Sequence, residues 1–464
     1  MVPVELREDV CRSKYNVIAP AKDGGGALYN RRTGACLALQ ASAFQRAAEW
    51  LAEPRVARAR FAVHRDLANL AARLLAGGFL VPAVGDEAAD VAATYSSRRL
   101  AGPLSLTVYP TYSCNLACDY CVVANKSGGM NRQTEARLLS FVENRLNEGR
   151  RALTVAWFGG EPLLALPLLE RLSAGFIAAC SHRGVVYAAQ LVTNGTLLTN
   201  SVVQRLRRIG VSQVQVTLDG LRGTHDARRR WNKSRRSSFD DIMDGLRATI
   251  GQIPVRLRVN VDDRNISDAM DLLALFAKEG WLNPATRFVP YVARVLDYTA
   301  ASACAAGHVC EPGRFEALQR RWFESLRSYG LDVTMRALYG FPEPRAVTCN
   351  AVSGSGYVVA PDGTLYRCSF DADDRTRASG SLTEGVQPVE AEQFWRMYDP
   401  FQRRTCRECE ALPSCLGFCP RNFRDKRMKF IDENCRYFRE TEPRIVRHHL
   451  SLMLDEQARR SRAS

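Results

Sequence analysis

The chain has 464 residues, of which 64 are basic and 49 acidic, for a formal net charge of +15. Compact cores rarely exceed roughly 250–300 residues, so this length implies two or more domains. An apolar fraction of 46% with 24% charged residues excludes global disorder. The charge surplus bears on partners rather than fold, and nucleic acid, an acidic peptide or an acidic electron-transfer protein could use it.

The opening MVPVELREDV lacks the basic-then-apolar order of a signal peptide. The best membrane candidate, Leu163 to Cys180, is broken by Glu170 and Arg171. A cytoplasmic protein with no membrane partner is expected. Of the 15 cysteines, ten fall into two spaced groups. In a reducing compartment such groups mean metal or catalysis before disulfides.

Residues 1–97 read as a small α+β unit. Strands are expected at Tyr15–Pro20, Gly26–Tyr29 and Ala35–Leu39, joined by turn-rich segments. Helices follow near 41–51 and 65–76, with a last strand at Phe79–Val81. Residues 98–300 alternate regularly. Strand-like runs at Leu104–Tyr109, Leu153–Phe158, Ala188–Thr193, Val214–Leu218, Val255–Val261 and Phe288–Val292 are separated by amphipathic segments such as Glu135–Asn147 and Asp240–Ile250. Six β/α units predict an α/β fold, a partial (β/α)6 barrel with parallel strands. Residues 301–345 form a bridge with a helix at Arg314–Tyr329, residues 346–440 a cysteine-rich domain, and residues 441–464 a helical basic tail. The basic run Arg228, Arg229, Arg230, Lys233, Arg235 and Arg236 around Trp231 reads as a solvated loop, with a docking surface as the alternative.

In β/α folds chemistry gathers at the C-terminal ends of strands. There stand Cys114, Gly159-Gly160-Glu161-Pro162, Asn194-Gly195 and Asp219-Gly220. Cys114, Cys118 and Cys121 can hold three irons of a 4Fe–4S cube and leave the fourth open. A zinc knuckle is the alternative, but it needs a further Cys or His close by, and none follows Cys121 closely. The position after a first strand favours the cluster.

On Cys114-Asn-Leu-Ala-Cys118-Asp-Tyr120-Cys121, Gly159-Gly160-Glu161-Pro162 and Thr193-Asn194-Gly195, the chain resembles the radical S-adenosylmethionine (SAM) superfamily. The resemblance implies a SAM-binding cluster on the three cysteines and cleavage of SAM to a 5′-deoxyadenosyl radical. It places Gly159, Gly160 and Glu161 against the methionine part of SAM and Asn194 near its ribose. Plain turns remain the alternative for both segments. Asp219 is a polar-site candidate in what is also an ordinary turn.

Cys349, Gly363, Cys368, Cys406, Cys409, Cys415, Cys419 and Cys435 look like the SPASM extension of that superfamily. The resemblance implies two auxiliary 4Fe–4S clusters, hence three in all. Cys406, Cys409, Cys415 and Cys435 would hold one, and Cys349, Cys368 and Cys419 would supply three ligands to the other. An eighth cysteine that many relatives carry before the first is missing from Glu343–Thr348, so Cys310 or Cys304 could serve, or an iron stays open. An idle buried thiol is the alternative for both. A zinc ribbon would explain Cys406 and Cys409 but not seven cysteines.

Sulfatase-maturing relatives place a basic aspartate directly after the cysteine equivalent to Cys368. Here Ser369 stands there, with Asp371 and Asp373 displaced, which argues against formylglycine formation. The segments Ser13-Lys14-Tyr15-Asn16 and Tyr29-Asn30-Arg31-Arg32-Thr33-Gly34 are similar to N-terminal domains of peptide-maturing members, some of which bind a leader by strand addition. A lid or packing domain is the alternative. The expected function is maturation of a ribosomally made precursor peptide through a carbon–carbon or thioether crosslink, with electrons from a flavodoxin or ferredoxin. A sulfatase-maturase-like oxidase and a zinc protein binding nucleic acid are the competing readings, and nucleic acid is not expected as a partner. No catalytic side chain is assigned.

Overall fold

A computed structural model of the chain describes residues 9–61, 64–123, 127–296, 307–331, 342–372 and 374–463. The chain divides into two compact units, each assembled from separate stretches. The first draws on Met1–Arg99, Arg336–Cys349 and Tyr398–Ser464, the second on Leu100–Met335 and Asn350–Met397.

In the first unit, β1 (Val10–Arg12) pairs with a strand that follows two helices, while β2 (Asn16–Pro20), β3 (Gly26–Asn30) and β4 (Cys36–Leu39) form an antiparallel meander in that order. Helices α1 (Ala41–Ala52) and α2 (Arg65–Ala76) lead to β5 (Leu80–Pro82), the partner of β1, and then to α3 (Glu87–Ala101). Side chains on a strand alternate between faces, and here both faces are apolar. Ile18, Leu28 and Leu37 pack with Phe44, Trp50, Leu70 and Leu74 of the two helices. Val17, Ala19, Ala27 and Tyr29 pack instead with Val446 and Leu450 of the C-terminal helix Glu442–Ala463. The expected helical tail is thus a helix, and its first turns form a wall of the unit's core. Asn30 organises the hairpin turn. Its amide donates to Asn16 Oδ1 and the Gly78 carbonyl, both at 2.8 Å, and its side-chain oxygen accepts from the backbone of Arg32 and Thr33.

The second unit is built on a ten-stranded sheet. Strand β6 (Leu104–Val108) precedes β7 (Leu116–Cys118), a short strand outside the sheet. Then come α4 (Arg132–Asn147), β8 (Ala152–Trp157), α5 (Leu166–Ser181), β9 (Val186–Thr193), α6 (Asn200–Arg208), β10 (Val211–Thr217) and α7 (Arg222–Arg228). After β11 (Arg229–Trp231) follow α8 (Ser238–Thr249), β12 (Val255–Val261), α9 (Asp268–Lys278), β13 (Phe288–Arg294) and α10 (Pro312–Ser328). Strands β6, β8, β9, β10, β12 and β13 are parallel neighbours in chain order, which is the expected open (β/α)6 barrel.

The expected single cysteine-rich domain over 346–440 is corrected. β14 (Gly356–Val359) pairs parallel with the free edge of β6, and β15 (Thr364–Tyr366), β16 (Gly380–Ser381) and β17 (Gly385–Val386) continue the sheet antiparallel. Residues 350–397 thus belong to the barrel unit, while Tyr398 onward belongs to the other. The apolar stretch around Leu163–Cys180 is the crossover helix between β8 and β9. Pro162–Ser181 is long and apolar enough to span a bilayer, but half of it is buried in the protein. Its Glu170 and Arg171 pair with Arg205 and Glu135.

Candidate functional site

The loop after β6 carries Cys114, Cys118 and Cys121. Backbone amides donate to two of the sulfurs, Leu116 N to Cys114 and Val123 N to Cys121, both at 3.4 Å. Such donors orient thiolate ligands and stabilise their charge. Burial pushes the Cys118 thiol up to about 12, the Arg229 guanidinium opposes this, and Cys121 and Cys114 add to the rise. Burial here therefore disfavours isolated thiolates. Cationic irons would offset that cost, so three thiols are the right donor chemistry for an iron–sulfur cluster, although among the described residues no three Cys, His or carboxylate side chains stand in metal-holding geometry.

The turn after β8 is tied to this loop. Gly160 N donates to the Thr111 carbonyl at 3.0 Å and Glu161 N to the Ser113 carbonyl at 2.9 Å. Gly159 has φ +116°, and a Cβ there would lie 2.6 Å from the Thr111 carbonyl oxygen. A Cβ on Gly160 would overlap the Ser113 and Tyr112 carbonyl oxygens. The close approach these glycines permit is thus to the cysteine loop itself, and this is a sufficient reason for glycine at both positions.

Glu161 is fully buried, and its carboxylate accepts from Asn194 N and Thr193 Oγ1, both at 2.7 Å, and from Leu163 N at 3.0 Å. It joins the ends of β8 and β9, and its carboxylate is engaged within the protein rather than presented to a ligand. Burial raises its pKa, with the Asn194, Leu163 and Thr193 hydrogen bonds acting in the opposite direction. Asn194 donates to Asn115 Oδ1 at 2.7 Å and accepts from Thr196 N at 3.0 Å. Its amide also lies 3.8 Å from the Cys114 sulfur, so the ribose-side candidate sits against the cluster loop.

A buried polar network lies behind the loop, and the sequence reading missed it. Strand β11 pairs antiparallel with β7, setting Arg229 opposite Cys118 and Trp231 opposite Leu116. Arg228 and Arg229 are 4% and 6% exposed, so the start of the basic run is not a solvated loop. Arg230, Lys233, Arg235 and Arg236 are exposed. Arg228 pairs with Asp262 at 2.7 Å and lies 3.7 Å from Asp219. Asp219, fully buried, accepts from the Tyr120 hydroxyl and from Asn260 N. Arg229 donates to the Tyr120 hydroxyl at 2.6 Å. The polar candidate at the end of β10 is therefore the anchor of the tyrosine inside the cysteine motif.

The first unit holds a second cysteine site. Cys406, Cys409, Cys415 and Cys435 line one cavity with Leu412, Phe418, Phe423, Ile431 and Phe438. Burial pushes the Cys415 thiol up to about 12, with Cys409 and Cys406 adding to the rise. Arg439 also lines the cavity. Four thiols lining one apolar cavity are the right donor chemistry for a fully ligated cluster. Of the other expected ligands, Cys349 and Cys419 belong to the first unit and Cys368 to the second. Cys310 is buried in the second unit, its thiol 3.5 Å from the Glu311 carbonyl. Cys304 and Asp373 lie outside the described residues.

An open (β/α)6 barrel with a three-cysteine loop after its first strand defines the radical SAM class, and residues 108–276 match the radical SAM superfamily. Those residues form a radical SAM domain, and the chain is a radical SAM enzyme, which uses SAM and an iron–sulfur cluster. It is similar to the serine-type anaerobic sulfatase-maturating enzyme of Klebsiella aerogenes, 26% identical over 66% of this chain and 77% of the relative. It is also similar to the mycofactocin maturase MftC of Mycolicibacterium smegmatis, 28% identical over 69% of this chain and 79% of the relative. Among solved structures, native anSMEcpe with bound AdoMet and Cp18Cys peptide aligns with a TM-score of 0.53 at 18% identity, over 74% of this chain and 98% of that one. That likeness is one of fold.

Proposed function

We propose that this radical SAM enzyme matures a ribosomally made precursor peptide in the cytoplasm, joining an unactivated carbon to a second carbon or to a sulfur. Cys114, Cys118 and Cys121 would hold the SAM-binding cluster, Cys406, Cys409, Cys415 and Cys435 a second cluster, and Cys349, Cys368 and Cys419 a third. When bound, the first would supply the electron that converts SAM into a 5′-deoxyadenosyl radical. The net charge of +15 suits an acidic flavodoxin or ferredoxin as donor.

The observation that carries the peptide reading is the outer edge of β4 at Ala38. Asn30 N donates to the Ala35 carbonyl, so in the β3–β4 register Leu28 and Leu37 form the next hydrogen-bonded pair. Alternation then turns the N–H and C=O of Ala38 outward, and among the described residues no strand pairs with that edge. An extended peptide can add there. Two relatives are named as maturases, and a structural neighbour holds a peptide. Ser369 after Cys368 sets the chain apart from the sulfatase-type base, and Asp371 is buried in the short turn Ser369–Asp371.

The test uses full-length short peptides encoded beside the gene, incubated with enzyme, SAM and a reductant. A matured peptide is lighter by two hydrogens per crosslink. Ala38→Pro, an edge position where proline is tolerated, should weaken peptide binding and leave peptide-independent 5′-deoxyadenosine formation intact. Equal affinities in titration would remove the strand-addition reading.

A further inference from the structure

Arg229 is a buried cation without an anionic partner. It is 6% exposed, its Nε has no hydrogen-bond partner, and among the described residues no carboxylate lies within ion-pair distance of it. Its one hydrogen bond goes to the neutral Tyr120 hydroxyl. Its neighbour Arg228 differs in having anionic partners, Asp262 at 2.7 Å and Asp219 at 3.7 Å. An unpaired buried charge is strongly destabilising, so a cation in this position calls for a counter-charge. The β7–β11 register puts Cys118 directly opposite, and of the groups acting on the guanidinium through charge Cys118 is the strongest. The second strand bond of this clamp, Asn232 N to the Asn115 carbonyl at 2.9 Å, and Asp119 N to the Arg228 carbonyl at 3.1 Å, hold the cysteine loop against the same segment.

We propose that Arg229 is the counter-ion of the SAM-binding cluster, acting through Cys118 to favour its reduced state, with the buried Asp219 opposing it through Tyr120. The inference rests on Cys114, Cys118 and Cys121 being the cluster's ligands. Reduction adds one negative charge to the cluster. A guanidinium in a low-dielectric site stabilises that added charge and raises the reduction potential, while a carboxylate nearby lowers it. Arg229 is thus a positioning and tuning residue, and its effect is electrostatic as well as structural.

The experiment is a redox titration followed by electron paramagnetic resonance on the reconstituted full-length protein, with iron assayed for each variant. The signal that changes when SAM is added identifies the cluster with the open iron. Arg229→Gln should lower its midpoint at unchanged iron content, Arg229→Lys should stay near wild type, and Asp219→Asn should raise it. Arg229→Gln titrating like wild type while retaining iron would overturn the proposal. If Arg229→Gln does not retain the cluster, the other two variants decide: a raised Asp219→Asn midpoint with Arg229→Lys near wild type supports it, and an unmoved or lowered Asp219→Asn midpoint overturns it. Absence of any SAM-responsive signal in the wild-type protein would instead refute the ligand assignment, an outcome distinct from a signal whose midpoint does not respond to charge.

Discussion

Arg31 and Glu442, 411 positions apart in the chain, form an ion pair at 2.6 Å with side chains 3% and 1% exposed. The pair joins the N-terminal hairpin to the start of the C-terminal helix. Arg31 also reaches the Glu410 carbonyl, beside Cys409, and the Tyr29 hydroxyl donates to the Pro342 carbonyl. The N-terminal segment and the four-cysteine chamber are therefore parts of one folding unit.

Breaking the pair leaves one charge buried alone. Glu442→Gln should destabilise the first unit by about 3–5 kcal/mol, read as a lower midpoint in chemical or thermal unfolding. The double change Arg31→Met with Glu442→Leu should recover most of that loss. Deleting residues 1–97 outright should expose the apolar face formed by Val446 and Leu450 and cause aggregation, with loss of iron from the four-cysteine chamber. A soluble truncated protein with full iron content would contradict this view of the unit.

Gly160→Ala is expected to act on the cluster rather than on overall folding. The added Cβ meets backbone oxygens of the cysteine loop, which cannot move aside as a side chain would. Iron should fall by about four per chain, one cluster, and 5′-deoxyadenosine formation should drop with it. Gly223→Ala is the control, because nothing lies within 4 Å of a Cβ there and the residue is helical. It should retain all iron and gain up to about 1 kcal/mol of stability. Equal iron in the two variants would show that the loop tolerates the displacement.

The barrel was legible because its strands recur at a regular spacing and alternate buried apolar residues with partly exposed ones, as in Leu104–Val108 and Ala152–Trp157. The additions to its edge were not. β15 has three residues and β16 and β17 two each, too short to carry a periodic signal. Charge patterning misled the reading of residues 228–236. A run of arginines usually marks solvent, and its first two members are buried because Arg228 pairs with Asp262 and Asp219 and β11 sets Arg229 opposite Cys118. The roles of Gly160 and Glu161 were assigned to a ligand because the motif predicts contact. Their described partners are Thr111, Ser113, Thr193 and Asn194, distant in sequence and invisible to local pattern. The association of the hairpin with the C-terminal helix escaped for the same reason.

The cysteine content sets the cluster load. Ten grouped cysteines predict three 4Fe–4S clusters, about twelve irons per chain after anaerobic reconstitution. Cys409→Ala with Cys415→Ala removes two of the four thiols lining the chamber and should leave about eight irons. SAM cleavage without peptide should persist in that variant, because Cys114, Cys118 and Cys121 are untouched. A wild-type plateau near four irons would rule out both auxiliary clusters, and loss of SAM cleavage in the double variant would show that the chamber supports the first cluster.

His225 gives the barrel unit a defined response to acid. It is fully buried, and its Nδ1 accepts from Asp219 N at 3.1 Å, which requires that nitrogen to be unprotonated. Burial, with Arg229 and Arg228 beside it, holds its pKa well below the ordinary value of 6.5, and protonation would add a third positive charge to the pair. The unfolded chain binds that proton near pH 6.5 while the folded chain does not. The stabilising contribution is therefore complete above about pH 6.5 and declines as the pH falls below it, by up to about 1.4 kcal/mol per pH unit. His225→Asn offers an acceptor to the same amide without titrating in this range. Urea unfolding of the cluster-free protein between about pH 7.5 and 5.5 should show a steeper loss of stability in the wild type than in His225→Asn. The other five histidines are common to both proteins, so the difference in slope belongs to His225. Parallel slopes would mean that the folded protein accepts the proton at His225, through a rearrangement that breaks its bond to Asp219.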